Sequence, residues 1–134
     1  MTKIIMGLKG MGKTKTLISL VNEAVSKDHG NVVCIEKDAN LRYDIGINAR
    51  LVNASEYGIN SFDKFYGFIC GLVAGNYDIT DIFVDSVLKF CGDDMAEFEA
   101  FVKAVEKVAP SVNIVMTASY DAANAPEGLK HYLM

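Results

Sequence analysis

The chain contains few arginines and few prolines. Only two of its 134 residues are arginine, Arg42 and Arg50, and only two are proline. Its 13 basic residues are outnumbered by 17 acidic residues, which gives a net charge of −4. Binding along a nucleic-acid backbone requires a surplus of lysine and arginine. The composition therefore argues against a general nucleic-acid-binding protein.

Cysteines and long apolar runs are also scarce. Cys34, Cys70 and Cys91 are an odd number without a CxxC spacing, which predicts free thiols in a reducing compartment rather than disulfides or a zinc site. The longest apolar run, residues 65–75, is well short of the roughly 20 residues that span a bilayer. The apolar run at the start is too short for a signal peptide. We therefore expect a cytoplasmic protein without membrane insertion.

The remaining composition is that of a folded protein. Hydrophobic residues make up 51% of the chain and charged residues 22%. A chain of this size buries enough apolar surface to fold without disulfides, but it has room for only one core. We expect residues 1–134 to form a single domain.

Short apolar runs alternate with longer amphipathic segments along the chain. The runs predict buried strands at residues 3–6, 32–35, 82–85 and 112–116, with a minor strand at 50–52. The amphipathic segments predict helices at 13–28, 61–74 and 94–109, a short terminal helix at 127–133, and extended pieces around Asn40, Gly46 and Asn48. This alternation predicts an α/β fold, a three-layer α/β/α sandwich around a mainly parallel sheet.

A glycine-rich motif lies between the first predicted strand and the first predicted helix. The segment Gly7–Thr14 fits the pattern G-x-x-x-x-G-K-[ST] without a mismatch. Its glycines let backbone N–H groups converge on an anion, and the positive end of the following helix points at the same place. The pattern predicts that Lys13 reaches the β- and γ-phosphates of a nucleotide and that the Thr14 hydroxyl binds Mg²⁺. The predicted nucleotide-binding residues are Gly7, Leu8, Lys9, Gly10, Met11, Gly12, Lys13, Thr14 and Lys15. The alternative is a glycine-rich turn without a ligand.

On this motif the chain resembles the P-loop NTPase superfamily, whose fold the resemblance implies. Residues 81–85, Asp-Ile-Phe-Val-Asp, resemble the Walker B strand of that superfamily. The resemblance implies that Asp85, at the end of the strand, holds Mg²⁺. Asp81 is the weaker candidate because it lies at the start of the predicted strand. The alternative is a buried strand followed by an aspartate that caps a helix.

Residues 112–119 form a third segment that is typical of the superfamily. Proteins with a RecA-like core place a strand that ends in a polar residue between the P-loop strand and the Walker B strand. The resemblance implies that Thr117 or Ser119 senses the γ-phosphate. The alternative is a core strand that ends in an ordinary loop.

The residue that activates water is not the usual one. Many P-loop ATPases carry glutamate directly after the Walker B aspartate, where this chain has Ser86. RecA-type proteins instead place a carboxylate at the end of the second strand, and residues 34–39 resemble that segment. Glu36 or Asp38 is therefore the catalytic candidate, acting together with Lys13. The alternative is a solvated loop carboxylate.

These features together predict the ligand and the activity. No guanine-specific motif is present, so we expect ATP or ADP with Mg²⁺. The whole chain is also similar to small bacterial P-loop ATP-binding proteins that are sometimes labelled twitching-motility (pilus-retraction) proteins. A retraction ATPase is far longer than this chain. Arg42 and Arg50 are the only candidates in the sequence for an arginine finger.

We expect an ATP-binding protein with at most slow Mg²⁺-dependent hydrolysis. The bound nucleotide would control either a conformational switch or an assembly, and the partner would be a second copy of the chain or another protein. The first alternative is a non-catalytic nucleotide-binding interaction module. The second, a small metabolite kinase, is disfavoured because an arginine-rich lid cannot be built from two arginines.

Overall fold

Five strands and four α-helices make up the computed structural model, which describes residues 1–38, 40–42 and 44–134. The strands are β1 (Thr2–Gly7), β2 (Asn31–Glu36), β3 (Ala49–Asn53), β4 (Ile79–Val84) and β5 (Asn113–Ser119). The helices are α1 (Lys13–Lys27), α2 (Phe62–Gly75), α3 (Val87–Cys91) and α4 (Met95–Val108). Short 3₁₀ segments cover Ala54–Tyr57, Ala122–Asn124 and Glu127–Tyr132. Ala39, in the predicted carboxylate segment, and Tyr43 lie outside the described residues.

The strands form one sheet with the order β1-β5-β4-β2-β3. Every pair of neighbouring strands is parallel, which confirms the prediction of a parallel sheet. β5 lies between β1 and β4, the place that the resemblance implies for the strand ending in polar residues. The carboxyl ends of all five strands therefore meet at one edge of the sheet.

Helices cover both faces of the sheet because the buried strands are apolar on both sides. In β2, Val33 and Ile35 belong to the core on the side of α2 and α4, whereas Val32 and Cys34 belong to the core under α1. This alternation follows from the two-residue period of a strand. The molecule therefore has the predicted three-layer α/β/α architecture.

Aromatic rings fill the core between α2, α3 and α4. Phe65 of α2 stacks on Phe101 of α4 with ring centroids 5.4 Å apart, and it meets Phe90 of α3 edge-on at 5.2 Å. Both arrangements are favourable for aromatic pairs. These contacts fix α3, and with it the segment that directly follows β4.

The structure differs from the sequence prediction at several places, among them β5, which covers Asn113–Ser119 instead of 112–116. β4 begins at Ile79 and ends at Val84, so the strand lies earlier than predicted and Asp85 directly follows it. The five-residue helix α3 was not predicted. Residues 40–42 and 44–48 form turns rather than extended pieces, because Leu41 and Ile45 are buried in the core under α1.

Within the described part of the chain, no helix is long and apolar enough to cross a lipid bilayer. Cys34 and Cys91 are buried free thiols, and Cys70 is a half-buried free thiol.

Candidate functional site

The register of the sheet brings three polar side chains together at its carboxyl edge. Ile35 pairs with Val84, and Val84 pairs with Met116. The next residues along the three strands, Glu36, Asp85 and Thr117, are therefore neighbours. Ligands of parallel α/β sheets bind at this edge.

The glycine-rich loop lies at the same edge, between β1 and α1. Gly10 and Gly12 have φ angles of 90° and 76°, in the left-handed region that favours glycine. No atom of the described residues lies within 4 Å of a Cβ placed on either glycine. The loop is therefore open on the side where a ligand would enter.

Helix α1 begins directly after Gly12, and no side chain caps its N-terminus. The first backbone N–H groups of a helix have no partner within the helix and carry its partial positive charge. At the start of α1 these groups directly follow the glycine loop in the chain. This arrangement suits an anion such as phosphate.

Lys13 folds its side chain back across the loop. Its Nζ donates a hydrogen bond of 2.9 Å to the carbonyl oxygen of Leu8. The side chains of Leu8, Lys9, Met11 and Lys15 are exposed around the loop. A phosphate in the loop would offer the Lys13 ammonium a charged partner in place of one carbonyl, and charged hydrogen bonds are the stronger kind.

Thr14 connects the start of α1 to the end of β4. Its hydroxyl donates to the two carboxylate oxygens of Asp85, at 3.1 Å from Oδ1 and 3.3 Å from Oδ2. A hydroxyl and a carboxylate are hard oxygen ligands that fit Mg²⁺, which takes its remaining ligands from phosphates and water. Among the described residues no group of three or more His, Cys, Asp and Glu side chains forms a metal cage. The pair therefore suits a cation that arrives with a phosphate.

Thr117 lies beneath Asp85 and is fully buried. Its hydroxyl donates to Oδ1 of Asp85 at 2.8 Å and accepts from the backbone N–H of Ser86 at 2.6 Å. Ser86 has a φ of 54°, an unfavourable value for a residue other than glycine. The Thr117 hydroxyl thus fixes both the Asp85 carboxylate and the sharp turn after β4.

Glu36 is buried, and a neighbouring turn occupies its carboxylate. Its oxygens accept hydrogen bonds from the backbone N–H groups of Asn40 at 3.0 Å and Leu41 at 2.9 Å. Burial raises the pKa of the Glu36 carboxyl; the two N–H donors lower it, and the negative charges of Asp85 and Asp38 raise it again. The net pKa is above the ordinary value. Asp38 itself is exposed beyond the end of β2.

The Cys34 thiol is buried near Glu36 and Asp85. Burial, together with the negative charges of Glu36 and Asp85, raises the pKa of Cys34 from 9.0 to about 12. A buried site with two nearby carboxylates has a negative potential that a bound cation would relieve. The sequence indicated a free thiol at Cys34, but not that it lies near Glu36 and Asp85.

Asp81 lies away from this group. It pairs in register with Val32 and Asn113, nearer the amino ends of those strands, and it accepts a hydrogen bond of 2.8 Å from the Thr80 hydroxyl. A cavity of about 520 Å³ lies on that side and is lined in part by Lys3 and Asp81. The structure therefore separates Asp81 from the glycine loop.

The two arginines belong to the segment between β2 and the end of β3, and both are exposed. Arg50 lies on β3 and lines a cavity of about 220 Å³ together with Glu36 and Tyr57. This places Arg50 at the opposite end of the sheet from β1.

The five-stranded parallel sheet, the helices on both faces and the glycine loop after β1 define a P-loop NTPase-like α/β fold. The structure is similar to domain III of the replication initiation protein DnaA from Thermotoga maritima, with a TM-score of 0.50 and 17% sequence identity. The match covers 97% of this chain and 50% of that chain, so this chain spans about half of its length. At this identity the likeness shows the fold alone. No protein-family profile and no curated protein matches the sequence.

Proposed function

We propose that this chain is an ATP-binding member of the P-loop NTPase superfamily with a RecA-like core. The observation that carries the proposal is the contact between the Thr14 hydroxyl and the Asp85 carboxylate. It brings two Mg²⁺ ligands, from distant parts of the sequence, to the mouth of a loop shaped for phosphate. A glycine-rich turn without a ligand would not require this pairing.

Each part of the loop has a role in this proposal. Backbone N–H groups of Gly10, Gly12 and the first turn of α1 bind the phosphates. The Lys13 ammonium moves from the Leu8 carbonyl to the β- and γ-phosphates. Thr14 and Asp85 bind Mg²⁺, which bridges phosphate oxygens. The side chains of Leu8, Lys9, Met11 and Lys15 surround the bound nucleotide, which is ATP or ADP.

Hydrolysis by this site is slow at most. Ser86 occupies the position where a catalytic glutamate would follow Asp85. Glu36 would orient water on the γ-phosphate with a carboxylate whose two oxygens also accept the N–H groups of Asn40 and Leu41. The same carboxylate would therefore link the nucleotide state to the turn at residues 40–42. This link supports a nucleotide-controlled switch or assembly, with a second copy or another protein as the partner.

A second candidate function is a nucleotide-binding interaction module without catalysis. Ser86, at the position where a catalytic glutamate would follow Asp85, favours it. The two candidates share the same nucleotide site and differ only in whether ATP is turned over.

The Mg²⁺ dependence of nucleotide binding tests the proposal. Calorimetric titration should show that wild-type protein binds ADP more tightly with Mg²⁺ than with a chelator. Asp85→Asn should remove most of that difference, whereas Asp81→Asn should keep it, because Asp81 lies away from the loop. Equal effects of the two substitutions would contradict the assignment of Asp85.

A further inference from the structure

A second concave site lies at the carboxyl edge of the sheet, away from the glycine loop. It has a volume of about 310 Å³ and its walls include Lys37, Ser55, Asn60 and Lys89. Lys37 follows β2, Ser55 follows β3, and Lys89 lies on α3 after β4. β4 and β2 are two and three strands from β1, roughly 10 and 14 Å at the usual strand spacing. The lining residues thus follow β2, β3 and β4, whereas the glycine loop follows β1.

The charge of this cavity is opposite to that of the whole chain. Two lysines line it, and none of the described residues that line it is acidic, although the chain carries a net charge of −4. Neither Lys37 nor Lys89 belongs to an ion pair within residues 1–38, 40–42 and 44–134. The cavity therefore offers two ammonium groups whose charge has no local partner.

Among the described residues, two buried carboxylates at this edge, Glu36 and Asp85, form no ion pair with these lysines. Asp85 accepts hydrogen bonds from the hydroxyls of Thr14 and Thr117. Glu36 accepts from two backbone N–H groups of the turn that follows β2. Both carboxylates are buried. The ammonium groups of Lys37 and Lys89 thus remain available to a ligand.

Contacts between the surrounding segments shape the cavity. The carbonyl oxygen of Lys37 accepts hydrogen bonds from the hydroxyl of Ser55 at 2.6 Å and from its backbone N–H at 3.3 Å. Phe90 in the cavity wall is fixed by its edge-on contact with Phe65. Ile59 and Phe90 are buried and give the site an apolar floor. An apolar pocket with a few convergent polar groups is the usual form of a small-molecule site.

We propose that this cavity binds a small molecule through a phosphate or carboxylate group. Lys37 and Lys89 supply the charge that recognises the oxyanion, and the Asn60 amide supplies a neutral hydrogen-bond donor. Ile59 and Phe90 contact the apolar part of the molecule. The volume of the cavity is at the lower end of the range for ligand pockets, which indicates a small metabolite. The inference does not depend on nucleotide binding at the glycine loop.

Amide NMR of the full chain tests this inference with two probes, inorganic phosphate and succinate, at constant ionic strength. The amide signals of Gly58 and Asn60 should shift with at least one probe, which also identifies the preferred oxyanion. The shifts should persist in Lys13→Ala, because phosphate that binds the glycine loop is a separate event. The amide signals of Gly10 and Gly12 monitor the glycine loop, so binding at the loop and binding at the cavity are detected separately.

The double substitution Lys37→Ala/Lys89→Ala should lower the affinity measured from the shifts at Gly58 and Asn60 roughly tenfold or more. This is the effect expected for the loss of charged hydrogen bonds. Lys107 is an exposed lysine in the last turn of α4. Lys107→Ala is therefore the matched control and should leave the shifts at Gly58 and Asn60 as in wild type. Because all three lysines are exposed, the variants should keep the wild-type fold, which their spectra report directly. The proposal is overturned if neither probe shifts these amides, or if the double variant responds like wild type.

Discussion

At the residue scale, the hydroxyl of Thr117 determines the position of the Asp85 carboxylate. Thr117 donates to Asp85 and accepts from the N–H of Ser86, and all of its surface is buried. The resemblance to RecA-like proteins implied that Thr117 or Ser119 senses the γ-phosphate. In the structure its contacts are with Asp85 and the turn after β4, so we propose that it acts on a nucleotide through Asp85.

Replacing this hydroxyl should affect both stability and metal binding. Thr117→Val keeps the shape of the side chain but leaves the Ser86 N–H without its acceptor and Asp85 without one donor. The free energy of unfolding should fall by about 1–3 kcal/mol, and the Mg²⁺ dependence of nucleotide binding should weaken. Denaturant unfolding and calorimetry measure the two effects. Thr117→Ser keeps the hydroxyl and should retain both properties; an equal loss in this variant would contradict the role of the hydroxyl.

The sequence predicted some residues of the site better than others. The loop from Gly7 to Thr14 is contiguous, so its pattern is visible without knowledge of the fold. The grouping of Glu36, Asp85 and Thr117 depends on strand order and register, which hydrophobic patterns do not specify. The turn that occupies the Glu36 carboxylate has no periodic signal at all. Its backbone donors belong to residues 40 and 41, and their direction is set only by the folded chain.

At the element scale, helix α4 shows how one capping residue fixes a boundary. Asp94 precedes the helix, and its Oδ1 accepts hydrogen bonds from the N–H groups of Ala96 at 3.0 Å and Glu97 at 3.1 Å. The predicted start of this helix at Asp94 agrees with the structure because the cap and the apolar stripe are both local. α3, with five residues, is too short to show helical periodicity, so it could not be predicted from the sequence.

Removing the cap should destabilise the protein by a measurable amount. Asp94→Ala should lower the free energy of unfolding by about 1 kcal/mol, the usual cost of losing an N-cap side chain. The neighbouring Asp93 is also exposed but lies outside the helix. Asp93→Ala is therefore the matched control and should change stability by less than about 0.5 kcal/mol. Similar losses in the two variants, measured by denaturant unfolding, would show that Asp94 acts only through its charge.

The turns between β2 and β3 were predicted least well among the elements. The sequence predicted extended pieces around Asn40, Gly46 and Asn48, but Leu41 and Ile45 are buried in the core and the described backbone there forms turns. The N–H groups of Asp44 and Ile45 both bond the carbonyl oxygen of Leu41. Leu41, Ile45 and Ile47 are scattered through a polar segment, and the sequence does not indicate that the first two are buried whereas Ile47 is exposed.

At the scale of the whole molecule, the proposed site lacks the groups that accelerate phosphoryl transfer. Glu36 is held by a turn, and Arg50 lies on the edge strand β3, away from the glycine loop on β1. Fast hydrolysis requires a positioned water and a cationic group that covers the γ-phosphate. A second copy of the chain is one source of such a group.

The rate of hydrolysis should therefore be low and should depend on assembly. We expect the isolated chain to hydrolyse ATP on the order of 10⁻⁴–10⁻² s⁻¹, as P-loop proteins without an arginine finger do. If copies assemble head to tail, the rate per molecule should rise with protein concentration. Arg42→Ala and Arg50→Ala would then identify the residue that the neighbour supplies. A rate of about 1 s⁻¹ or more that is independent of concentration would contradict this expectation.

The central claim is that a nucleotide binds with its phosphates in the glycine loop. The most direct measurement is amide NMR of the full chain during titration with ADP and Mg²⁺. The account predicts saturable shifts that are largest at Gly10, Gly12, Lys13 and Thr14, and that are strongly weakened in Lys13→Ala. Absence of shifts, or saturable shifts confined to residues outside the loop, would contradict the claim.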